Sequence, residues 1–342
     1  MKFLFLGAGA IGTYIGGSLA AAGQAVAFVE QPGMAAVIRE RGLRVHVDGG
    51  VRAVSDVTVH DSMADALAAG PYDVGVVALK SFDTAAAMDD LMAPGLAVPD
   101  AILSLQNGVD NEATIGERVG ADRVIAGTVA SAVGKPGVGE AVEEKHRGMG
   151  VALGHPSSEG IVAALNAAGL SARAYPAAGP MKWSKLLTNL TGNATSAILD
   201  MPVADLFADR RLYAVEVEVL RECLRVMRAM GMKPVDLPGT PVRLLALASE
   251  RLPRVIAQPA LTRALGAGRG DKMPSFHIDL HSGRGQSEVT YLNGAIVRYG
   301  AQHGVRTPVN EVLTRTLLAL TDGSEDLERF RHRPDELLGL LS

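Results

Sequence analysis

A lysine and two asparagines in the second half of the chain have side chains suited to carbonyl chemistry. Lys185, Asn189 and Asn193 are spaced i, i+4 and i+8, so one continuous helix would place them on the same face. An ammonium group can protonate an oxygen that gains negative charge when a hydride is transferred to its carbon. Amides can orient a carbonyl, a hydroxyl or a carboxylate. The residues alone also fit a solvated polar helix face, and that interpretation stays open.

Near residue 1, an apolar run leads directly into a glycine-rich turn. Residues 2–6 read KFLFL and residues 7–12 read GAGAIG, the pattern G-x-G-x-x-G. The first glycine would permit the tight turn, the second would let a pyrophosphate approach the backbone, and the third would let the next helix pack closely. The N–H groups that begin this helix favour phosphate. The alternative is a tight turn without a ligand. We predict a dinucleotide site at Gly7, Ala8, Gly9, Ala10, Ile11 and Gly12.

One acidic residue bears on which dinucleotide is bound. Glu30 ends the second predicted strand, about 20 residues after the glycines, where an acid binds the adenosine ribose 2′-hydroxyl of NAD. A carboxylate there would repel the 2′-phosphate of NADP, and residues 31–34 contain no arginine or lysine. The sequence therefore favours NAD, with a solvated acid at a strand end as the alternative.

The elements that must position these residues change character along the chain. Short apolar runs alternate with helical stretches up to about residue 173, which predicts a parallel sheet covered by helices on both faces. A polar turn at Asp48-Gly49-Gly50 predicts a hairpin between residues 43–47 and 51–59. Later stretches have helical patterns, at residues 181–196, 210–231, 242–251, 287–303 and 310–322.

The predicted fold class is therefore α/β, with a Rossmann-type doubly wound domain followed by an all-α domain. We expect the dinucleotide-binding domain at residues 1–175 and a helical substrate and catalytic domain at residues 176–342. The cleft between the two domains is the expected site.

Composition excludes several classes of protein. The 342 residues are 48% hydrophobic and 20% charged, with a net charge of −4 and no Lys/Arg-rich tract, so we expect no nucleic-acid partner. The sequence contains no stretch of about 18 uncharged apolar residues, so we predict no membrane span. We expect a soluble cytoplasmic protein with no metal, and Cys223, the single cysteine, is expected to be a buried structural thiol. The apolar helix at 212–230 is expected in the core, or else at the seam of a homodimer.

Several motifs, in this order along nearly the whole chain, resemble those of the ketopantoate reductase (2-dehydropantoate 2-reductase) family. After the glycine motif come ALKSF at 78–82, QNGV at 106–109, the Lys185/Asn189/Asn193 stretch, PS at 274–275, GRGQSE at 283–288 and YLNG at 291–294. The resemblance implies a nicotinamide-dependent oxidoreductase of pantothenate biosynthesis. Its expected reaction is reduction of ketopantoate, or a closely related branched 2-oxo acid, to the 2-hydroxy acid.

The resemblance also implies roles for individual residues. Lys185 matches the proton donor to the ketone oxygen. Residues that match substrate-binding positions are Asn189, Asn193 and Ser275.

Three further positions match residues around the cofactor. Lys80 matches a lysine near the cofactor, and Asn107 matches an amide placed against the nicotinamide ribose and the substrate. Glu288 matches an acid near the cofactor and the lysine, where it could tune the lysine's charge.

The chain departs from the family pattern in two places. Members that use NADPH usually have an arginine just after strand two, where this chain has Glu30-Gln31. Residues 236–270 form a longer stretch than a compact member has, and this insertion could reshape the substrate pocket. NAD is therefore favoured, with NADP as the alternative that the resemblance implies.

Two other functions remain open at the level of sequence. An NAD-dependent D-2-hydroxyacid dehydrogenase of the D-mandelate type, with a bulkier substrate, shares the two-domain plan and fits Glu30 and the insertion. A non-catalytic nucleotide-sensing module would bind the cofactor without turnover.

Overall fold

The computed structural model describes residues 1–93, 95–253, 255–259, 261–262 and 273–341. The chain divides into two compact units, Met1–Lys182 with Leu237–Thr240, and Trp183–Asp236 with Pro241–Ser342. The division falls inside the helix Ala178–Leu190, which continues from one unit into the other, whereas the sequence places the boundary between residues 175 and 176.

An eight-stranded sheet forms the centre of the first unit. The strands of this unit are β1 (Lys2–Leu6), β2 (Ala25–Val29), β3 (Leu43–Val47), β4 (Gly50–Val54), β5 (Thr58–His60), β6 (Val74–Val77), β7 (Ala101–Ser104), β8 (Val124–Val129), β9 (Ala132–Gly134), β10 (Glu140–Lys145), β11 (Met149–Ala152) and β12 (Ala172–Tyr175). The sheet has the order β12-β11-β8-β7-β6-β1-β2-β5. It is accompanied by the helices Ala10–Ala21, Pro32–Arg41, Met63–Ala68, Thr84–Leu91, Asn111–Val119 and Ser158–Ala167.

The main sheet is buried on both faces. Phe3 and Phe5 of β1 belong to one apolar cluster, and Leu4 and Leu6 belong to another. Successive side chains of a strand point to opposite faces, so continuous apolar runs such as KFLFL suit a strand that is covered on both sides. The predicted parallel pairing is confirmed along the neighbouring strands β5, β2, β1, β6, β7 and β8. The next strand, β11, runs antiparallel to β8.

A second, four-stranded sheet has the order β4-β3-β10-β9. The predicted hairpin is confirmed at β3 and β4, which pair antiparallel around Asp48 and Gly49. The second strand of the hairpin is shorter than the predicted residues 51–59, because residues 58–60 pair instead with β2 in the main sheet. β3 also pairs in parallel with β10, a contact between segments far apart in the chain.

In the described part of the second unit the regular elements are helical, as the all-α prediction expected. The predicted helix at 287–303 is divided into a 3-10 turn, Glu288–Tyr291, and a helix from residue 293. The α-helices are Asn193–Leu199, Val203–Ala208, Arg210–Ala229, Val242–Arg251, Ser275–Leu280, Asn293–Gln302, Pro308–Asp322, Leu327–Phe330 and Pro334–Gly339.

The insertion predicted at 236–270 lies only partly within the described residues, since residues 254, 260 and 263–270 fall outside them. Among the described residues, no helix is both long enough and apolar enough to cross a membrane.

Candidate functional site

The carboxyl ends of four neighbouring strands lie in register at one edge of the main sheet. Leu6 of β1 pairs with Val29 of β2 on one side and with Val77 of β6 on the other. Val77 in turn pairs with Ser104 of β7. The chain runs from β1 outward through β2 to β5 and then returns to β6 on the other side of β1, so the strand order reverses here. This edge is therefore the topological switch point where doubly wound sheets bind ligands.

The glycine motif fits a dinucleotide at this switch point. Gly7 has a φ of +92°, and a Cβ on Gly12 would lie 2.0 Å from the carbonyl oxygen of Gly7, so the turn and the helix pack too closely for a side chain. Among the described residues, the one atom within 4 Å of a Cβ on Gly9 would be the carbonyl oxygen of Ala78, at 4.0 Å. Gly9 therefore leaves open space beside the backbone, as a pyrophosphate requires.

Glu30 faces the same loop. Its carboxylate accepts hydrogen bonds from the N–H of Ala8 at 2.8 Å and from the N–H of Gln31 at 2.9 Å. The helix Ala10–Ala21 begins at Gly9 without a side-chain cap from any described residue, so its first N–H groups can serve a phosphate. The glycine turn and the helix start offer backbone N–H donors, and Glu30 offers an acceptor beside them, a combination that fits the phosphates and the ribose of a nicotinamide dinucleotide.

The loops that carry Lys80 and Asn107 are tied together by side chains that sequence reasoning missed. The amide nitrogen of Gln106 donates to the carbonyl oxygens of Leu79 at 3.1 Å and of Lys80 at 3.3 Å. The carbonyl oxygen of Asn107 accepts from the side-chain amide of Asn111 at 2.6 Å. The two bonds of Gln106 link the residues after β6 with a residue after β7, and a contact between residues so far apart in the chain cannot be predicted from a local sequence pattern.

Lys182 is a buried cation at the start of the helix Ala178–Leu190, and its side chain is only 4% exposed. Its Nζ donates to the carbonyl oxygens of Gln106 at 2.7 Å and of Gly127 at 3.3 Å, and it pairs with Glu112 at 2.8 Å. Lys182 is not among the site residues predicted from the sequence. The contacts show that it holds the backbone immediately before Asn107.

The predicted single helix through Lys185, Asn189 and Asn193 is wrong at its third member. Lys185 and Asn189 lie one turn apart on the helix Ala178–Leu190, and both are half-buried. The helix stops before Gly192, whose φ of +66° is left-handed, and a new helix begins at Asn193. Asn193 therefore does not continue the face of the other two residues.

A buried carboxylate holds this break in place. The N–H of Gly192 donates to Glu216 Oε2 at 2.6 Å, and Glu216 itself is 1% exposed. A Cβ on Gly192 would lie 2.7 Å from Val203 Cγ1. A left-handed backbone and a close neighbour together require glycine here.

The structure brings Asn193 together with Ser275, two of the predicted substrate-binding residues. The amide nitrogen of Asn193 donates to Ser275 Oγ at 3.3 Å, and its Oδ1 accepts from the N–H of Phe276 at 3.1 Å. Asn193 is buried and Ser275 is exposed. Asn193 thus fixes the start of the helix Ser275–Leu280 and sets the position of the serine hydroxyl.

Glu288 is buried at the start of a 3-10 turn in the second unit, with 5% of its surface exposed. The turn is capped by Ser287, whose Oγ accepts from the N–H of Val289 at 3.2 Å. A buried acid in this unit is compatible with the role that the resemblance implies, and that role stays a prediction.

Comparisons with known proteins match both halves of the chain. The family model described as ketopantoate reductase PanE/ApbA matches residues 3–153, and the model of its C-terminal part matches residues 179–321. A crystal structure of a PanE/ApbA family ketopantoate reductase from Ralstonia eutropha is 30% identical, with a TM-score of 0.80, and the match covers 95% of this chain and 100% of that one.

Two relatives at a similar level of identity are 2-dehydropantoate 2-reductases. The 2-dehydropantoate 2-reductase of Halobacterium salinarum is 29% identical over 94% of this chain and 100% of its own length, and that of Pyrococcus horikoshii is 27% identical over 92% and 95%. A structure of D-mandelate dehydrogenase with NADH and anilino(oxo)acetate is 21% identical, with a TM-score of 0.76 over 94% of this chain and 99% of that one. This last likeness is one of fold.

Proposed function

Because this chain belongs to the ketopantoate reductase PanE/ApbA family, we propose that it reduces ketopantoate, or a closely related branched 2-oxo acid, to the 2-hydroxy acid. The observation that carries the proposal is the polar set in the second unit. One helix presents Lys185 and Asn189 a turn apart, and the break after it places Asn193 on Ser275. A cation with amides and a hydroxyl suits a substrate that has a ketone and a carboxylate.

The first unit would hold the cofactor. A nicotinamide dinucleotide, when bound, supplies the hydride for the reduction. Gly9 and the start of the following helix offer backbone N–H groups to the pyrophosphate. Glu30, already fixed beside Ala8, can accept a hydrogen bond from an adenosine ribose hydroxyl. The loops at Lys80 and Asn107 lie along the same sheet edge.

The second unit would handle the substrate and the proton. We assign to Lys185 the donation of a proton to the ketone oxygen, which becomes an alkoxide as its carbon is reduced. Asn189, Asn193 and Ser275 would orient the hydroxyl and carbonyl groups of the substrate, which lowers the entropic cost of reaching a reactive geometry. Glu288 would tune the charge of the lysine.

Steady-state reduction of ketopantoate tests the proposal directly. Lys185→Met keeps the length of the side chain but removes its proton, and we expect kcat to fall by about 10²- to 10⁴-fold, the contribution typical of a general acid. Lys233→Met, at an exposed lysine of the same unit, is the matched control and should keep wild-type turnover. Wild-type activity in Lys185→Met would remove the proposed proton donor. Absence of turnover in the wild type with either cofactor would contradict the proposed substrate.

The carboxylate of Glu30 supports NADH over NADPH as the working cofactor. A phosphate about 4 Å from this carboxylate would feel a repulsion of the order of 1–4 kcal/mol near a protein surface. Glu30→Gln keeps a hydrogen-bond acceptor but removes the charge, so its kcat/KM with NADPH should rise by about tenfold or more. A wild-type enzyme that prefers NADPH would show that the carboxylate does not face the ribose.

A second candidate is an NAD-dependent D-2-hydroxyacid dehydrogenase with a bulkier substrate. The observations that favour it are Glu30 and the fold shared with the D-mandelate dehydrogenase bound to NADH. A panel of 2-oxo acids separates the two candidates. Higher kcat/KM for an aromatic 2-oxo acid such as benzoylformate than for ketopantoate would favour the second.

A further inference from the structure

Two histidines and an aspartate meet on the second unit, outside the residues assigned to the reaction. His277 and His281 are spaced i, i+4 at the helix Ser275–Leu280, and Asp200 follows the helix Asn193–Leu199. The nearest ligand-type atoms of these three side chains all lie within 4.8 Å of one another. His-x-x-x-His on one helical turn is the spacing by which two imidazoles reach a single zinc ion. Two imidazoles with one carboxylate are also a common zinc ligand set.

The carboxylate is already directed toward the histidines. Asp200 Oδ1 lies 2.7 Å from His277 Nε2, and the rings of His277 and His281 have centroids 4.3 Å apart. Ligand atoms around a tetrahedral zinc ion are separated by about 3.3 Å, given metal–ligand distances of about 2.0–2.2 Å. Small side-chain rotations would therefore bring the three atoms to that separation.

The second oxygen of the carboxylate has its own partner. Arg331 Nε donates to Asp200 Oδ2 at 3.1 Å, and His332 Nε2 lies 4.0 Å from the same oxygen. Ligating carboxylates are commonly oriented by such a hydrogen bond to the oxygen that faces away from the metal.

We propose that Asp200, His277 and His281 bind one divalent late transition metal ion, for which zinc is the natural probe. The ligand types exclude a preference for calcium or magnesium, which take oxygen ligands. The positive charge of Arg331 opposes a cation, so we expect an affinity in the micromolar range rather than that of a permanent structural site. This proposal does not depend on the proposed reductase activity.

Such an ion would link two helices that carry predicted substrate residues. Asp200 ends the helix that begins at Asn193, and His277 lies in the helix that begins at Ser275. The Asn193–Ser275 hydrogen bond joins the starts of these helices. Zinc would add a second tie between the same two segments and stabilise the second unit.

Metal titration of the untagged protein, stripped with a chelator and studied at pH 7.5, tests the site. Isothermal titration with zinc chloride should give one ion per chain. His281→Gln keeps the bond between His277 and Asp200 and should weaken binding at least tenfold. His303→Gln, at an exposed histidine outside the cluster, is the matched control and should bind as the wild type does.

A spectroscopic readout distinguishes this set of ligands from incidental surface binding. Cobalt(II) in a four-coordinate site absorbs visible light far more strongly than hydrated cobalt(II), and this band should be present in the wild type and in His303→Gln but lost in His281→Gln. Zinc should also raise the melting temperature of the wild type by a few degrees. No saturable zinc binding, or equal binding in wild type and His281→Gln, would show that the cluster is only an ion-pair network.

Discussion

Two alanine substitutions in the glycine motif should separate cofactor binding from folding. The Cβ of Gly9→Ala would have no described atom closer than 4.0 Å, and the residue's φ of −69° suits alanine. The cost to folding is then the loss of glycine at a helix N-cap, about 1 kcal/mol or less. The Cβ of Gly12→Ala would lie 2.0 Å from the carbonyl oxygen of Gly7, a backbone atom that cannot rotate away. The free energy of unfolding should fall by about 3 kcal/mol or more.

For Gly9→Ala, the main expected effect is on cofactor binding rather than on folding. In Gly9→Ala the methyl group would fill the space left for the pyrophosphate, which costs one or more charge-assisted hydrogen bonds of about 1.5–3 kcal/mol each. The Kd for NADH should therefore rise by about ten- to a hundredfold, while urea denaturation remains close to that of the wild type. Gly160→Ala, in the helix Ser158–Ala167 with its nearest atom at 3.7 Å, is the control and should leave both measurements nearly unchanged.

Titration of NADH fluorescence and urea denaturation on the same samples provide the two measurements. If Gly9→Ala folds normally and binds NADH as tightly as the wild type, the loop does not hold the pyrophosphate and the assignment of the site is refuted. If Gly12→Ala is as stable as the wild type, the close approach between turn and helix is not as the structure shows.

Three further predictions concern the second unit. Asn193→Ala leaves the buried N–H of Phe276 without its acceptor, so the free energy of unfolding should fall by about 1–3 kcal/mol and the KM for the 2-oxo acid should rise; an unchanged KM would contradict a substrate role. Burial raises the pKa of the Cys223 thiol, so a thiol reagent at pH 8 should label it only after unfolding; rapid labelling of the native protein would contradict its burial. Asp200 has a pKa below its ordinary value of 3.8, so the ionised carboxylate stabilises the fold above that pH, and this stabilisation is lost as the pH falls through the folded-state pKa. With chelator present, the difference in unfolding free energy between wild type and Asp200→Asn should therefore shrink below about pH 4. A difference that grows as the pH falls would contradict this sign.

Features set by adjacent residues were predictable from the sequence. The glycine turn depends on the order strand, glycines, helix, and the structure places that turn at the end of β1. Glu30 follows β2, and parallel pairing of β1 with β2 brings the residues after both strands to one edge. A pattern that is local in sequence and a sheet that is parallel together fix this part of the site.

The break at Gly192 was not predictable by the same means. The i, i+4 spacing of Asn189 and Asn193 fits a continuous helix, and a glycine within a helical pattern costs only about 1 kcal/mol. At the break, Gly192 is left-handed and its N–H donates to the carboxylate of Glu216, on a helix that comes later in the chain. Contacts of this kind form only in the tertiary structure, so the periodicity of the sequence does not predict them.

The second sheet was missed for a related reason. Residues 140–145 read EAVEEK, which has few apolar residues and a poor strand pattern. They form β10 between two partners, β9, with which they pair antiparallel, and β3, with which they pair in parallel. One of these partners lies almost a hundred residues away, and strand formation often depends on such context.

The buried amine of Lys182 has a consequence for dissecting the chain into fragments. A truncated N-terminal fragment that stops at residue 175 would contain every strand of the main sheet but would lack the cation that pairs with Glu112 and caps the carbonyl groups of Gln106 and Gly127. Two carbonyl groups and a carboxylate would then depend on water for their partners. A fragment extended through residue 182 keeps those contacts, so an N-terminal fragment is better ended within the helix Ala178–Leu190 than at the last strand.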